Sequence, residues 1–168
     1  MKNLVYCLAT SEEQADEILM HLRNLGFKSS EVSVLLKDNP QTKNISVQED
    51  AIRGAEKGGL VGGVLGALAG LTALTIPGFG PFVVAGPLLS GLGGAAVGSV
   101  IGGLAGGSGA LTRIGIPKHA ASRIESKLHQ GAILAAVHSD DPARLDKALR
   151  VFKSSGADEI YASEDQAA

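Results

Sequence analysis

The sequence predicts an α+β chain made of two similar halves and split by a long apolar insertion. Three observations predict it. The 168-residue chain carries 15 Lys and Arg and 17 Asp and Glu, yet none of these, and no His, lies between Gly58 and Thr112. That charge-free stretch holds 18 of the 23 glycines. The two flanking parts share one β-α-β grammar. The length fits a single domain, or a small domain with an appendage. A net charge of −2 offers no basic excess for nucleic acid. A single cysteine, Cys7, excludes a disulfide framework and a multi-cysteine metal site.

The first half opens with Asn3 to Ala9, a short apolar run that reads as a buried strand. It is too short for a signal-peptide core. Ser11-Glu12-Glu13-Gln14 is a capping-box pattern with two acids for the helix dipole. Ala15, Ile18, Leu19, Leu22 and Leu25 follow on one helical face, and Gly26 closes the helix. Val32 to Leu36 reads as a second strand. The polar segment Lys37 to Asp50, with Pro40, reads as a loop.

The far end repeats this plan. Ala132 to His138 reads as a strand. Asp141-Pro142 opens a helix whose apolar face is Leu145, Ala148, Leu149 and Phe152. Gly156 ends that helix, and Glu159 to Ser163 reads as a last strand. One constant shift lays Ser11 on Asp141, Ala15 on Leu145, Ile18 on Ala148, Leu19 on Leu149, Leu22 on Phe152 and Gly26 on Gly156. Two such units predict a split ferredoxin-like (βαβ…βαβ) sandwich, with four strands and two helices on one face. Between insertion and third strand, Ala120, Ala121, Ile124 and Leu128 mark a connecting helix. The expected divisions are 1–50 for the first half, 51–113 for the insertion, and 114–168 for the connecting helix and second half.

Inside the insertion, Gly58, Gly62, Gly66 and Gly70 recur every four residues. Ser90, Gly94, Gly98, Gly102 and Gly106 do the same. This spacing predicts two helices whose small-residue stripes permit close backbone packing. Pro77, Gly78, Gly80 and Pro81 predict the bend between them. Gly58 to Ile76 would make about 28 Å of helix and Leu88 to Leu111 about 36 Å, against a hydrocarbon core of about 30 Å. Arg53 and Lys57 before, with Arg113 and Lys118 after, put positive charge on one side. The eight strong apolar residues of the first arm supply about −2 to −5 kcal/mol toward insertion, which six glycines and two threonines oppose. The expectation is an apolar α-helical hairpin that enters a membrane, self-assembles, or both. Its domain would lie on the cytoplasmic side of the inner membrane with both termini cytoplasmic. The alternative is a cytoplasmic, soluble homo-oligomeric particle with the hairpins buried inside. The apolar area of the hairpin weighs against its exposure on a soluble monomer.

The chain resembles the bacterial general-stress and low-temperature-induced protein family. The features that carry the resemblance are "EVSVLLKD" at Glu31 to Asp38, the run Ile76-Pro77-Gly78-Phe79-Gly80-Pro81, the Gly115-Ile116-Pro117 triplet, and "AAVHSDD" after Leu134. They extend over nearly the whole chain. Ile124 departs from the pattern, where the resemblance would place an aromatic. The resemblance implies a stress-linked protein that is membrane-associated or self-assembling, and it implies no catalytic residues.

Catalytic chemistry finds little footing. His21, His119, His129 and His138 are not spaced as metal ligands, and Cys7 has no base beside it in sequence. No phosphate-loop or dinucleotide fingerprint is present. Glu12-Glu13 and Asp140-Asp141 open helices, where acids favour the dipole. The expectation is a non-enzymatic protein with no cofactor, metal or nucleic-acid partner, and with itself and membrane lipid as partners. A third reading is a small-ligand sensor on an open sheet face, for which Tyr6, Ser33 and His138 are the polar candidates. Arg144, Lys147, Arg150 and Lys153 form a basic helix face that is either solvated or turned to anionic headgroups.

Overall fold

The computed structural model describes residues 3–37, 72–76, 80–88 and 107–163. The zipper positions Gly58, Gly62, Gly66, Gly70, Ser90, Gly94, Gly98, Gly102 and Gly106 lie outside the described residues, as do Pro77 and Gly78. The elements are β1 (Asn3–Ala9), α1 (Glu12–Asn24), β2 (Val32–Lys37), β3 (Thr72–Ile76), β4 (Gly80–Ala85), α2 (Gly107–Arg113), α3 (Lys118–His129), β5 (Ile133–Ser139), α4 (Pro142–Ser154) and β6 (Asp158–Ser163).

Local chemistry sets the two long outer helices. Ser11 caps α1, its Oγ accepting from the Gln14 N–H at 3.1 Å. Gln14 reaches back one residue further than a capping box requires. Its Oε1 accepts from the Thr10 N–H at 2.8 Å, while Nε2 donates to the Ser155 carbonyl. Asp141 caps α4 by accepting from the Ala143 N–H at 2.9 Å, with Pro142 at the first helical position. Gly26 (φ 82°) and Gly156 (φ 66°) follow the two helices in left-handed backbone, which only glycine adopts without strain. The repeat therefore holds in the caps and the stops alike.

The strands form one six-stranded sheet in the order β3-β4-β2-β5-β1-β6. Every neighbouring pair is antiparallel. Four strands were expected. The two additional ones, β3 and β4, lie where the sequence predicted the end of a helix and a bend. Thr72–Ile76 is strand rather than the end of a helix from Gly58. Gly80 and Pro81 begin β4 rather than joining two helices. The reason is physical. Thr72, Thr75, Ile76, Val83 and Val84 are β-branched and favour extended backbone. Phe82, Val83 and Val84 are buried in the sheet, each worth about 1.5–3 kcal/mol. Pro81 is tolerated because the pairing of β4 with β2 ends at Lys37↔Phe82, one residue short of it.

Both faces of the sheet are covered. On one, α1 and α4 pack Ile18, Leu22, Leu145 and Phe152 onto Val5, Cys7, Val34 and Val137. On the other, α2 and α3 pack Leu111, Ile124 and Leu128 onto Tyr6, Leu8, Leu35, Phe82 and Leu134. The connecting helix thus becomes a third layer, and the expected free sheet face does not exist. Alternation along each strand explains the double core. Neighbouring residues point to opposite faces, and β1, β2 and β5 are apolar on both, as strands covered on two sides must be.

Candidate functional site

The only polar residues sequence reasoning assigned to a sheet face are Tyr6, Ser33 and His138. Alternation puts all three on the α3 side. Tyr6 lies between Leu4 and Leu8, Ser33 beside Leu35, and His138 beyond Leu134 and Ala136. There Tyr6 and Ser33 flank Ala136 across the sheet, with His138 two residues further along β5 and half-buried. Ser33 is fully buried, and its Oγ accepts from the Leu88 N–H at 3.1 Å. The His138 backbone N–H donates to the Glu31 carbonyl at 2.8 Å. Tyr6 is fully buried beneath α3.

Tyr6 is the inner end of a polar cluster along the α3–β6 seam. Its ring stacks on Tyr161, with centroids 5.6 Å apart and planes 14° from parallel. His119 of α3 lies beside this pair, its ring 6.1 Å from that of Tyr161 and tilted by 57°. Further along, Arg123 Nε and Lys127 Nζ each stand 3.1 Å from Glu159 Oε1. Lys127 also donates to Asp158 Oδ2.

A bulge in β6 makes this convergence possible. Tyr6 faces Tyr161 and Leu8 faces Asp158, so β6 uses one residue more than β1 over that span. Glu159 sits at φ 47°, left-handed backbone for a non-glycine residue, at a cost of about 1–2 kcal/mol. The extra residue turns Asp158 and Glu159 to the same side, within reach of Lys127. Ile160 is left to pack on the α1–α4 core. Two cations on one carboxylate, with the carboxylate's side chain mostly buried, offset the strain.

The electrostatics describe a clasp rather than an acid–base pair. The hydrogen bond from Lys127 holds Asp158 below its ordinary value near 3.8, and the same contact with Asp158 raises Lys127. Burial raises the Tyr6 phenol well above its ordinary value, with Tyr161 and Glu159 adding to the effect. Burial likewise raises the Cys7 thiol, so neither group ionises near neutrality. The Tyr6 hydroxyl has no hydrogen-bond partner among the described residues. Among those residues, no group of three or more His, Cys, Asp or Glu is placed to hold a metal. No family model, curated protein or solved structure matches the chain.

A second clasp ties the halves of the repeat together. Arg144 of α4 lies 4.7 Å over the Phe27 ring, donates to Glu31 Oε2 at 2.8 Å, and reaches the Gly26 carbonyl at 3.2 Å. Arg144 is therefore not a free member of the basic α4 face. Neither clasp was singled out by sequence reasoning. Arg123 and Lys127 sit one helical turn apart on α3, but nothing local marks Glu159, far along the chain beyond β5 and α4, as their partner. The bend residues Gly80 and Pro81 are brought into the sheet, and Asp141 serves as a helix cap.

Proposed function

We propose that this is a non-enzymatic, stress-related protein that self-assembles through its glycine-zipper segments, with a ferredoxin-like domain as the platform. The run β2-β5-β1-β6, with α1 and α4 on one face, supports the ferredoxin-like reading of the repeated halves. The observation that carries the assembly reading is the placement of β3 and β4. The chain enters β3 at Thr72, directly across from Val84 near the end of β4. Both zipper segments therefore attach at one end of the same pair of strands, which supports a reading in which they pack together.

The same placement weighs against two independent membrane spans. With Thr72 onward in the sheet, the first arm keeps only Gly58 to Leu71. As a helix that segment would reach about 21 Å, short of the roughly 30 Å hydrocarbon core. The second arm, expected from Leu88 to Leu111, is not shortened in this way, since Gly107–Arg113 at its far end is helical. Among the described residues no helix is long and apolar enough to cross a membrane. A shortened first arm with small residues in register fits packing against copies of itself better than a span of its own. A second reading keeps the segments in lipid as a packed cluster on the cytoplasmic side of the inner membrane. The exposed Arg113 and Lys118 flanking the insertion favour it.

Fractionation without detergent, followed by size-exclusion chromatography with light scattering, tests the proposal. A large, uniform, lipid-free species is expected. Recovery in membranes that resists carbonate extraction would select the lipid-embedded reading. A lipid-free monomer would overturn both.

A further inference from the structure

α1 and α4 form the outer layer on one side of the sheet, and their exposed sides carry opposite charge. α1 holds Glu12, Glu13, Asp16 and Glu17 against one base, Arg23. α4 holds Arg144, Lys147, Arg150 and Lys153 against one acid, Asp146. Arg144 is committed to Glu31. Glu13, Glu17, Lys147, Arg150 and Lys153 are exposed and enter none of the ion pairs found among the described residues. Met20, 45% exposed, lies in the same outward row as Glu13 and Glu17.

Two hydrogen bonds fix how the helices run. Gln14 Nε2 donates to the Ser155 carbonyl at one end of the layer, and Arg144 donates to the Gly26 carbonyl at the other. The helices are therefore antiparallel, and Arg23 stands level with Asp146. At about 100° per residue, Arg23 points opposite to Gln14, away from α4, and Asp146 points away from α1. These two opposite charges sit on opposite rims of one molecule, where they do not meet.

A twofold rotation about an axis parallel to the helices, just above the layer, lays α1 of one copy on α4 of another. Levels along the helices are preserved. Arg23 of each copy then faces Asp146 of the other on a shared rim, Lys153 lies on that same rim level with Asp16, and on the outward row Arg150 stands within a turn of Glu17 with Lys147 about 7 Å beyond it. We propose that the α1–α4 layer is a self-complementary docking surface for a second copy of this chain. The sign pattern matches in its exceptions as well as in its majority, which a merely solvated surface does not require. Two 13-residue helices, each about 20 Å long and about 10 Å apart, offer a footprint of roughly 400 Å². That is small for a specific interface, so the pair is weak, fast and salt-sensitive.

Charge reversal in full-length chains tests this. One variant carries Glu13→Lys and Glu17→Lys, which makes both helices basic. The other carries Lys147→Glu and Arg150→Glu, which makes both acidic. Each variant should repel itself, whereas the two together restore attraction at both α1–α4 contacts. With donor- and acceptor-labelled chains, energy transfer should be strong for the parent and for the mixed variants at about 20 mM salt. It should be lower for either variant alone, down to the level that the glycine segments sustain by themselves, and the difference should vanish near roughly 500 mM. Association through the glycine segments contributes equally to every mixture and cancels. Equal association of the self and mixed pairs would overturn the proposal. Circular dichroism checks the fold of each variant. If Glu13→Lys unsettles the start of α1, Arg23→Glu mixed with Asp146→Lys asks the same question at the rim.

Discussion

Ser33 Oγ accepts the backbone N–H of Leu88 at 3.1 Å, and both groups are buried. This bond fixes where the chain leaves β4 toward the second zipper segment. Between them Gly86, at φ 81°, presses on β2 so closely that a β-carbon would lie 2.0 Å from the Val32 carbonyl oxygen. Ser33→Ala leaves the Leu88 N–H buried and unpaired, an expected loss of about 1–3 kcal/mol. Gly86→Ala combines a steric clash with a left-handed backbone and should cost more than Ser33→Ala. Urea midpoints compare the two with the parent. An unchanged midpoint for Gly86→Ala would show that β4 does not dock on β2 as described.

Tyr6 gives the opposite sign. Its ring stacks on Tyr161, but its hydroxyl has no partner among the described residues. Removing an unsatisfied buried hydroxyl relieves a penalty, while the stack depends on the ring alone. Tyr6→Phe should therefore leave stability unchanged or raise it by up to about 1 kcal/mol. Tyr6→Ala should lose about 3–5 kcal/mol, the range for emptying an aromatic site. A thermal melt of both variants separates the contributions. A marked loss in Tyr6→Phe would mean that the hydroxyl is bonded.

These two residues also show what the sequence made legible. The β-α-β repeat could be read because its signals are local: Ser11 and Asp141 as caps, Gly26 and Gly156 as stops, and apolar faces at helical spacing between them. β3 and β4 were missed because a short apolar run without charges fits a buried strand as well as a buried helix. The zipper periodicity next to them tipped the reading to helix. Pro77-Gly78 between two β-branched runs was the signal that pointed the other way. The α3–β6 clasp was not legible at all. It rests on a bulge at Glu159 and on pairings between elements far apart in the chain, which no local pattern encodes.

That clasp has a defined pH window. Asp158 is held below its ordinary value near 3.8 by Lys127, so its contribution is complete above that value and fades as acid protonates it in the folded state. Lys127 is raised above its ordinary 10.5, so its contribution is complete below 10.5 and fades as alkali removes the proton. The clasp therefore acts across the range between these limits. Asp158 is half-exposed, so the effect at neutral pH should stay below about 1 kcal/mol and shrink in salt. Asp158→Asn should melt slightly below the parent at pH 7 and together with it at about pH 2. A gap that persists in acid would assign the loss to packing rather than charge.

The zipper carries the last expectation. If the segments pack as proposed, the small side chains at Gly66 and Gly98 are what lets two helix backbones approach closely along the stripes. Leucine at either position would hold the helices several ångströms apart and forfeit the packing along the stripe. Both positions lie outside the described residues, and the melting transition of the sheet and its helices should be unchanged. Gly66→Leu and Gly98→Leu should each shift light-scattering mass from the assembly toward small species. Ala at the same positions, a smaller wedge, should shift it less. This graded response separates stripe packing from mere hydrophobicity, because leucine adds apolar surface and would strengthen an association driven by area alone. Assembly that survives Leu at both positions would leave the glycine spacing without a role in holding the copies together.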